Sequence, residues 1–264
     1  MFGLMVLLAP LGGRPALAQT VTNTATIIAP TGLTEDNTTD NSAADSDNVL
    51  VQLTIIKRVT NDNGGDATAT SFGITTSAGT LSFGANTGTA TNAVYTSTIL
   101  NVEPGTYSLS ELDTAGYTEG TWTCSGTGFS AVSGAFGAGS VTLAESAQVT
   151  CEITNDDQGA TLTLIKNVDN SGGGTATADQ WTLTAIGPQT LSGVTGNASV
   201  TNVAVLPGSY SLAESGGPAD SGNVDPDYTN AGWDCGPAGS GLTAVNVVLG
   251  ASVSCTLTNV FVGY

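Results

Sequence analysis

The chain of 264 residues contains no histidine. That absence removes Ser-His-Asp and Cys-His catalysis and every imidazole metal site in one step. Positive charge is nearly as scarce: 4 lysines and arginines face 22 aspartates and glutamates, for a formal net charge of −18. Such a surface repels phosphate backbones and anionic headgroups, so nucleic acid is excluded as a partner. No window carries an apolar period of 3.6 residues over helical length, and no apolar run is long enough for a membrane span. Cys-x-x-Cys pairs are missing too, which leaves zinc without its usual ligand spacing. No metal and no cofactor are expected.

What remains reads as strands. Thr, Ser, Val and Ala alternate over long stretches, and 35 glycines supply the turns between them. An all-β fold follows, and the length suits two domains, each with its own core.

One stretch occurs twice: Leu53-Thr-Ile-Ile-Lys57-Arg-Val59 and Leu162-Thr-Leu-Ile-Lys166-Asn-Val168, each followed by a glycine run. These are the only lysines in the chain. At strand period, Leu53, Ile55, Lys57 and Val59 share one face, as do Leu162, Leu164, Lys166 and Val168. Lysines spent at one equivalent place on an apolar face serve something other than solubility. The sequences that follow also match. Pro104-Gly105-Thr106-Tyr107-Ser-Leu109-Ser-Glu111 corresponds to Pro207-Gly208-Ser209-Tyr210-Ser-Leu212-Ala-Glu214, and Trp122-Thr-Cys124 to Trp233-Asp-Cys235. Val149-Thr-Cys151-Glu-Ile153-Thr-Asn155 corresponds to Val253-Ser-Cys255-Thr-Leu257-Thr-Asn259. The lysines lie 109 residues apart, the glutamates 103, and the last-strand cysteines and asparagines 104. Landmarks in one order at near-constant offset mean internal duplication.

The duplication also orders the cysteines. Of three connectivities, the repeat symmetry selects Cys124–Cys151 and Cys235–Cys255, one disulfide per repeat, which implies an oxidising compartment. Trp122 and Trp233 are expected to pack on these bridges rather than to bind a sugar; an immunoglobulin domain would place its tryptophan between the cysteines.

Four segments result. Residues 1–18 resemble the end of a secretory signal, with an apolar run, Pro10, and Ala16-Leu17-Ala18 as a small-x-small cleavage site, but the basic start is missing. Residues 19–50 hold a strand over 21–28 and an acidic linker, 34–48. Asn23-Thr-Ala-Thr26 and Asp36-Asn37 to Asn41 in this segment resemble the closing hairpin of a β-sandwich repeat of bacterial surface proteins. The strand, with no domain of its own to complete, would pair with a neighbour's sheet edge or stay disordered. The first repeat covers 51–157, with strands expected over 70–76, 79–83 and 90–100 and a type II turn at Pro104-Gly105. The second covers 158–264. Asn61-Asp-Asn-Gly-Gly-Asp66 has a faint look of a calcium loop, but a polar glycine turn gives the same pattern more commonly.

Each repeat thus places a lysine on its first strand, a glutamate on a middle strand and an asparagine on its last, all in phase with apolar neighbours. Burial lowers a lysine pKa and raises a glutamate pKa, toward a neutral amine beside a neutral acid. Such an amine next to a polarised carboxamide can lose ammonia and leave an amide crosslink. The L-T-x-x-K strand, the P-G-x-Y-x-L-x-E stretch and the closing I/L-T-N strand resemble the prealbumin-like B-type domains of Gram-positive pilins and collagen adhesins. The resemblance covers both repeats. It implies two tandem prealbumin-like (immunoglobulin-like) antiparallel β-sandwich domains. It also implies isopeptide bonds Lys57–Asn155, with Glu111 as single-turnover catalyst, and Lys166–Asn259, with Glu214. Disulfides are not typical of those domains and could replace the crosslink as the staple. A buried Lys–Glu ion pair capped by Asn fits the same spacing, as does a placement of all three at strand ends in water.

The expectation is a non-enzymatic secreted or cell-surface structural protein, a stalk, fibre or pilus-like subunit. Its partners would be copies of itself or other surface proteins. No LPxTG motif supports attachment by sortase. An adhesin module binding a carbohydrate or matrix protein through an aromatic-lined face is the alternative.

Overall fold

The structure, a computed structural model, describes residues 20–29, 31–32, 34, 37, 39, 41–218 and 227–262. The expected signal segment lies outside these, as do the carboxylates of Glu35, Asp36 and Asp40.

The chain's first two strands, β1 (Thr20–Thr26) and β2 (Ser42–Asn48), form an antiparallel hairpin from Thr20 opposite Asn48 to Thr26 opposite Ser42. The strand expected over 21–28 is therefore not an orphan, and the acidic stretch expected as linker ends in a strand. Ser42-Ala-Ala-Asp-Ser-Asp-Asn48 has no apolar alternation to announce it; pairing with the β1 backbone decides its conformation. Every residue of β2 is exposed, and a side-chain bond from Asn48 Nδ2 to Glu103 Oε1 (2.9 Å) ties the hairpin to the next unit.

The first repeat contains β3 (Val51–Thr60), β4 (Thr75–Thr76), β5 (Asn92–Thr96), β6 (Leu100–Val102), β7 (Gly105–Ser110), β8 (Tyr117–Glu119), β9 (Thr123–Ser133) and β10 (Gly139–Asp157). Strand β3 buries alternate residues, as its period requires: Val51, Leu53, Ile55, Lys57 and Val59 point inward. The 19-residue β10 joins the layers of the repeat. Its start pairs antiparallel with β7, and its end runs parallel to β3 from Gln148 opposite Gln52 to Asp156 opposite Thr60.

The second repeat contains β11 (Ala160–Asp169), β12 (Trp181–Ile186), β13 (Thr190–Gly193), β14 (Val203–Val205), β15 (Gly208–Gly216), β16 (Tyr228–Asn230), β17 (Ala244–Val247) and β18 (Ser252–Phe261). Two four-stranded sheets, β14-β11-β18-β16 and β13-β12-β15-β17, enclose one core that includes Leu162, Leu164, Leu183, Tyr210 and Leu257. Strand pairing is antiparallel among the described residues except for one pair in each repeat: β3 with β10, and β11 with β18. The first and last strands of each domain therefore run side by side in the same direction.

Several local expectations fail for identifiable reasons. The strand expected over 70–76 is a 3₁₀ turn, Ala69–Phe72, followed by the two-residue β4. The backbone N–H of Thr68 donates to Ser71 Oγ, and Gly73 (φ 51°) ends the turn in the left-handed region. Residues 79–83 make only a bridge, Phe83 with Ser97, and 90–100 divides into β5 and the start of β6. Pro104-Gly105 makes no type II turn. Gly105 lies outside the left-handed region and opens β7, while Gly208 opens β15 at φ 148°.

Cys124–Cys151 and Cys235–Cys255 are disulfides, as the duplication required. Trp122 and Trp233 are buried in the clusters that contain them. Only Gln158 and Gly159 separate β10 from β11. Across this short joint, Leu249 of the second repeat packs against the first repeat's cluster of Val59, Phe72 and Tyr117, and Gly250 N–H donates to Gln158 O (3.0 Å).

Replacing a disulfide pair with serines is expected to cost roughly 3 kcal/mol per bridge, read by chemical denaturation; free thiols in the native protein would contradict the pairing. Leu249→Ser removes half-buried apolar surface and is expected to cost about 1 kcal/mol. NMR relaxation should then show the two repeats tumbling more independently than in the wild type.

Candidate functional site

The parallel register places the lysine and the asparagine of each repeat on one inner face. Lys57 lies opposite Ile153, and Asn155, two residues further on, lies opposite Val59. The second repeat has the same offset: Lys166 opposite Leu257, and Asn259 opposite Val168. Side chains two residues apart on a strand share a face, so a lysine stem can reach along it to the carboxamide of the neighbouring strand. The glutamate arrives from elsewhere: Glu111 just beyond β7, and Glu214 on β15 in the facing sheet.

In the first repeat all three groups meet. Lys57 is fully buried, and its Nζ donates to Glu111 Oε2 (2.6 Å) and to Asn155 Oδ1. The Phe72 ring lies under the same nitrogen, 3.9 Å from Nζ to its centroid. Desolvation pushes the Lys57 amine down to about 8, against the opposing pull of the Glu111 hydrogen bond and the charges of Glu111 and Glu119. Two buried polar atoms here have no hydrogen-bond partner, Glu111 Oε1 and Asn155 Nδ2.

The second repeat repeats the plan more loosely. Lys166 Nζ donates to Glu214 Oε2 (2.7 Å) and lies 4.8 Å from the centroid of the Trp181 ring. Burial lowers its amine from the usual lysine value, opposed by Glu214. Glu214 Oε1 accepts from Asn230 Nδ2 (3.0 Å). Asn259 is buried, but its Oδ1 has no partner, so no hydrogen bond reaches it from Lys166.

Several supporting residues escaped the sequence reading. Phe72 and Trp181 each stand 15 residues after their lysine, a spacing that the duplication would have revealed. So would Asn61 and Asn170, each four residues after it. The Tyr117 hydroxyl donates to Asn61 Oδ1 (2.6 Å) and accepts from Ala67 N (3.0 Å); Tyr228 does the same with Asn170 (2.6 Å) and Ala176 (3.0 Å). These clamps explain the glycine runs. A Cβ at Gly65 or Gly174 would overlap the tyrosine hydroxyl.

The Asn61–Asp66 turn is held by Asp157, whose carboxylate accepts from the backbone of Asp62, Asn63 and Gly65 (2.6–3.0 Å). Asp62, Asp156 and Asp157 bring carboxylate oxygens within 4.8 Å of one another. Burial, with the charges of Asp62 and Asp157, raises the Asp156 pKa. An open groove of about 550 Å³ beside β16 and β18 is lined by polar and small residues such as Thr229, Asp234, Thr256 and Thr258, with no aromatic among them.

A family model described as a prealbumin-like fold domain matches residues 47–153 and again 157–257. The chain belongs to this prealbumin-like family. Among solved structures, it is similar to a major pilin of Streptococcus pyogenes at 16% identity and a TM-score of 0.34, over 80% of this chain and 97% of the pilin. A second major pilin structure from that species matches at 13% identity and 0.32, over 81% and 99%. The pilus adhesin SpaC of Lactobacillus rhamnosus GG matches at 10% identity and 0.33, over 84% of this chain and 36% of the adhesin. No curated protein matches the chain. Among the described residues, no helix is long and apolar enough to cross a membrane.

The lowered amine gives a direct test. In Asn155→Ala, where Lys57 keeps a free amine, the side-chain resonance should titrate near 8 instead of 10.5. Between those values the unfolded chain holds a proton that the folded chain has released, so the variant's stability should rise with pH across this window. A midpoint near 10.5 would show that the amine is not desolvated.

Proposed function

We propose that the protein is a non-enzymatic, secreted or cell-surface structural subunit, of stalk, fibre or pilus-like kind. Each prealbumin-like repeat would be locked by one Lys–Asn isopeptide bond, Lys57–Asn155 and Lys166–Asn259. The reading rests above all on one observation: Lys57 Nζ, fully buried, contacts both the Glu111 carboxylate and the Asn155 carboxamide. The chemistry balances with these groups alone. The neutral amine attacks Asn155 Cγ, the Nζ–Cγ bond forms, and the Cγ–Nδ2 bond breaks. Glu111 takes a proton from Nζ and delivers one to Nδ2, which leaves as ammonia. The Glu–Lys contact at 2.6 Å is within reach for the first transfer. Departure of Nδ2 also removes a buried donor that has no partner. Glu214 would serve Lys166 and Asn259 in the same way. Each bond forms once, so the chemistry is self-modification rather than turnover.

Two disulfides support an oxidising, extracellular setting. A disulfide and an isopeptide in each domain would make a chain that resists extension, which suits a load-bearing subunit whose partners are its own copies or other surface proteins.

Intact mass under reducing conditions tests the proposal. Wild-type protein should weigh two ammonia molecules less than its sequence requires. Lys57→Ala or Glu111→Ala should restore one ammonia and Lys166→Ala or Glu214→Ala the other, after allowance for the substitution. A wild-type mass equal to that of the sequence would leave the clusters as buried ion pairs and end the proposal.

A further inference from the structure

Besides Phe72 and Trp181, the two sites differ at a second structurally equivalent position. In the first repeat, β8 pairs with β10 so that Glu119 lies opposite Asn155. In the second, β16 pairs with β18 so that Asn230 lies opposite Asn259. A carboxylate in one repeat is thus a carboxamide in the other, beside the asparagine that the proposed crosslink consumes.

The consequences differ because a carboxylate only accepts hydrogen bonds, whereas a carboxamide also donates. Glu119 cannot donate to Glu111, and Glu111 Oε1 has no partner. Glu119 instead accepts weakly from Thr114 N (3.4 Å) and adds a second negative charge near Lys57. Asn230 Nδ2 donates to Glu214 Oε1 (3.0 Å), while the other oxygen, Oε2, receives Lys166 Nζ (2.7 Å). The Glu214 carboxylate is therefore held at both ends. Its enclosure is also less complete: the Glu214 side chain is 16% exposed against 0% for Glu111, so surrounding packing restrains it less.

We infer that Asn230 is a positioning residue for the crosslink of the second repeat: it fixes Glu214 through Oε1 and so keeps Oε2 on the Lys166 amine. The role rests on the isopeptide reading. The first repeat needs no such residue, since full burial fixes Glu111. Among the described residues, Lys166 on β11 forms an ion pair with Glu214, Leu183 on β12 lies opposite it in the sheet, and Asn230 on β16 donates to its other oxygen.

The test uses the full chain, recovered unfolded and uncrosslinked from inclusion bodies and refolded by dilution at a series of pH values. Peptide mass spectrometry follows ammonia loss in each repeat separately. Asn230→Ala should slow the second crosslink about tenfold, the worth of one hydrogen bond, and leave the first unchanged in the same molecules. Asn230→Asp should slow it at least as much at neutral pH. On acidification the introduced carboxyl gains a proton and can donate, so its rate relative to wild type should recover, whereas the Ala variant's ratio should stay flat. A residue with a merely structural role would give neither difference in pH profile. If wild-type protein forms no second crosslink, the isopeptide reading fails for that repeat, and the role of Asn230 with it. If the wild type crosslinks and both variants keep pace with it at every pH, the positioning role alone is overturned.

Discussion

Burying a lysine amine in a β-sandwich core is the constraint on which the rest of this structure depends. An unpaired ammonium loses several kcal/mol of hydration inside a protein, about as much as burying two or three large apolar side chains gains. Lys57 answers in three ways. Its stem continues the apolar row of Leu53 and Ile55, its nitrogen meets Glu111, and its pKa falls toward neutrality. The ring of Phe72 closes the underside. Remove the carboxylate, and the amine must either lose its proton or open the core.

The parallel pairing of the first and last strands sets the lysine of one beside the asparagine of the other, with the same two-residue offset in both repeats. The last strand also carries the cysteine of the disulfide, four residues before the asparagine. Each domain's ends are thus gathered at one strand, where force applied along the chain would otherwise begin to part them. Repeat two differs from repeat one in how completely it encloses its glutamate, and a polar neighbour replaces the missing packing.

The sequence made much of this legible because duplication supplied a second copy to compare. Strand faces, cysteine pairing and the lysine-glutamate-asparagine set follow from period and offset, and the family match covers both repeats. Other features left little trace. The 3₁₀ turn Ala69–Phe72 is fixed by a single serine hydroxyl and a left-handed glycine. Strand β2 has no apolar period and exists through its pairing with β1. The parallel pairing itself joins residues about a hundred positions apart, and no local pattern encodes it. Glu119 and Asn230 escaped notice because their residue types differ, although one Tyr-Thr-x-x-x-Trp-x-Cys frame, Tyr117 to Cys124 and Tyr228 to Cys235, holds both.

The chain's economy in lysine permits one decisive measurement. With only two lysines, protein labelled with nitrogen-15 at Nζ gives two side-chain signals and no background from other lysines. If both repeats are locked as proposed, each signal is an amide N–H with a single attached proton, unchanged by pH across the amine range. Ammonium or amine signals that titrate in the folded protein would contradict the account.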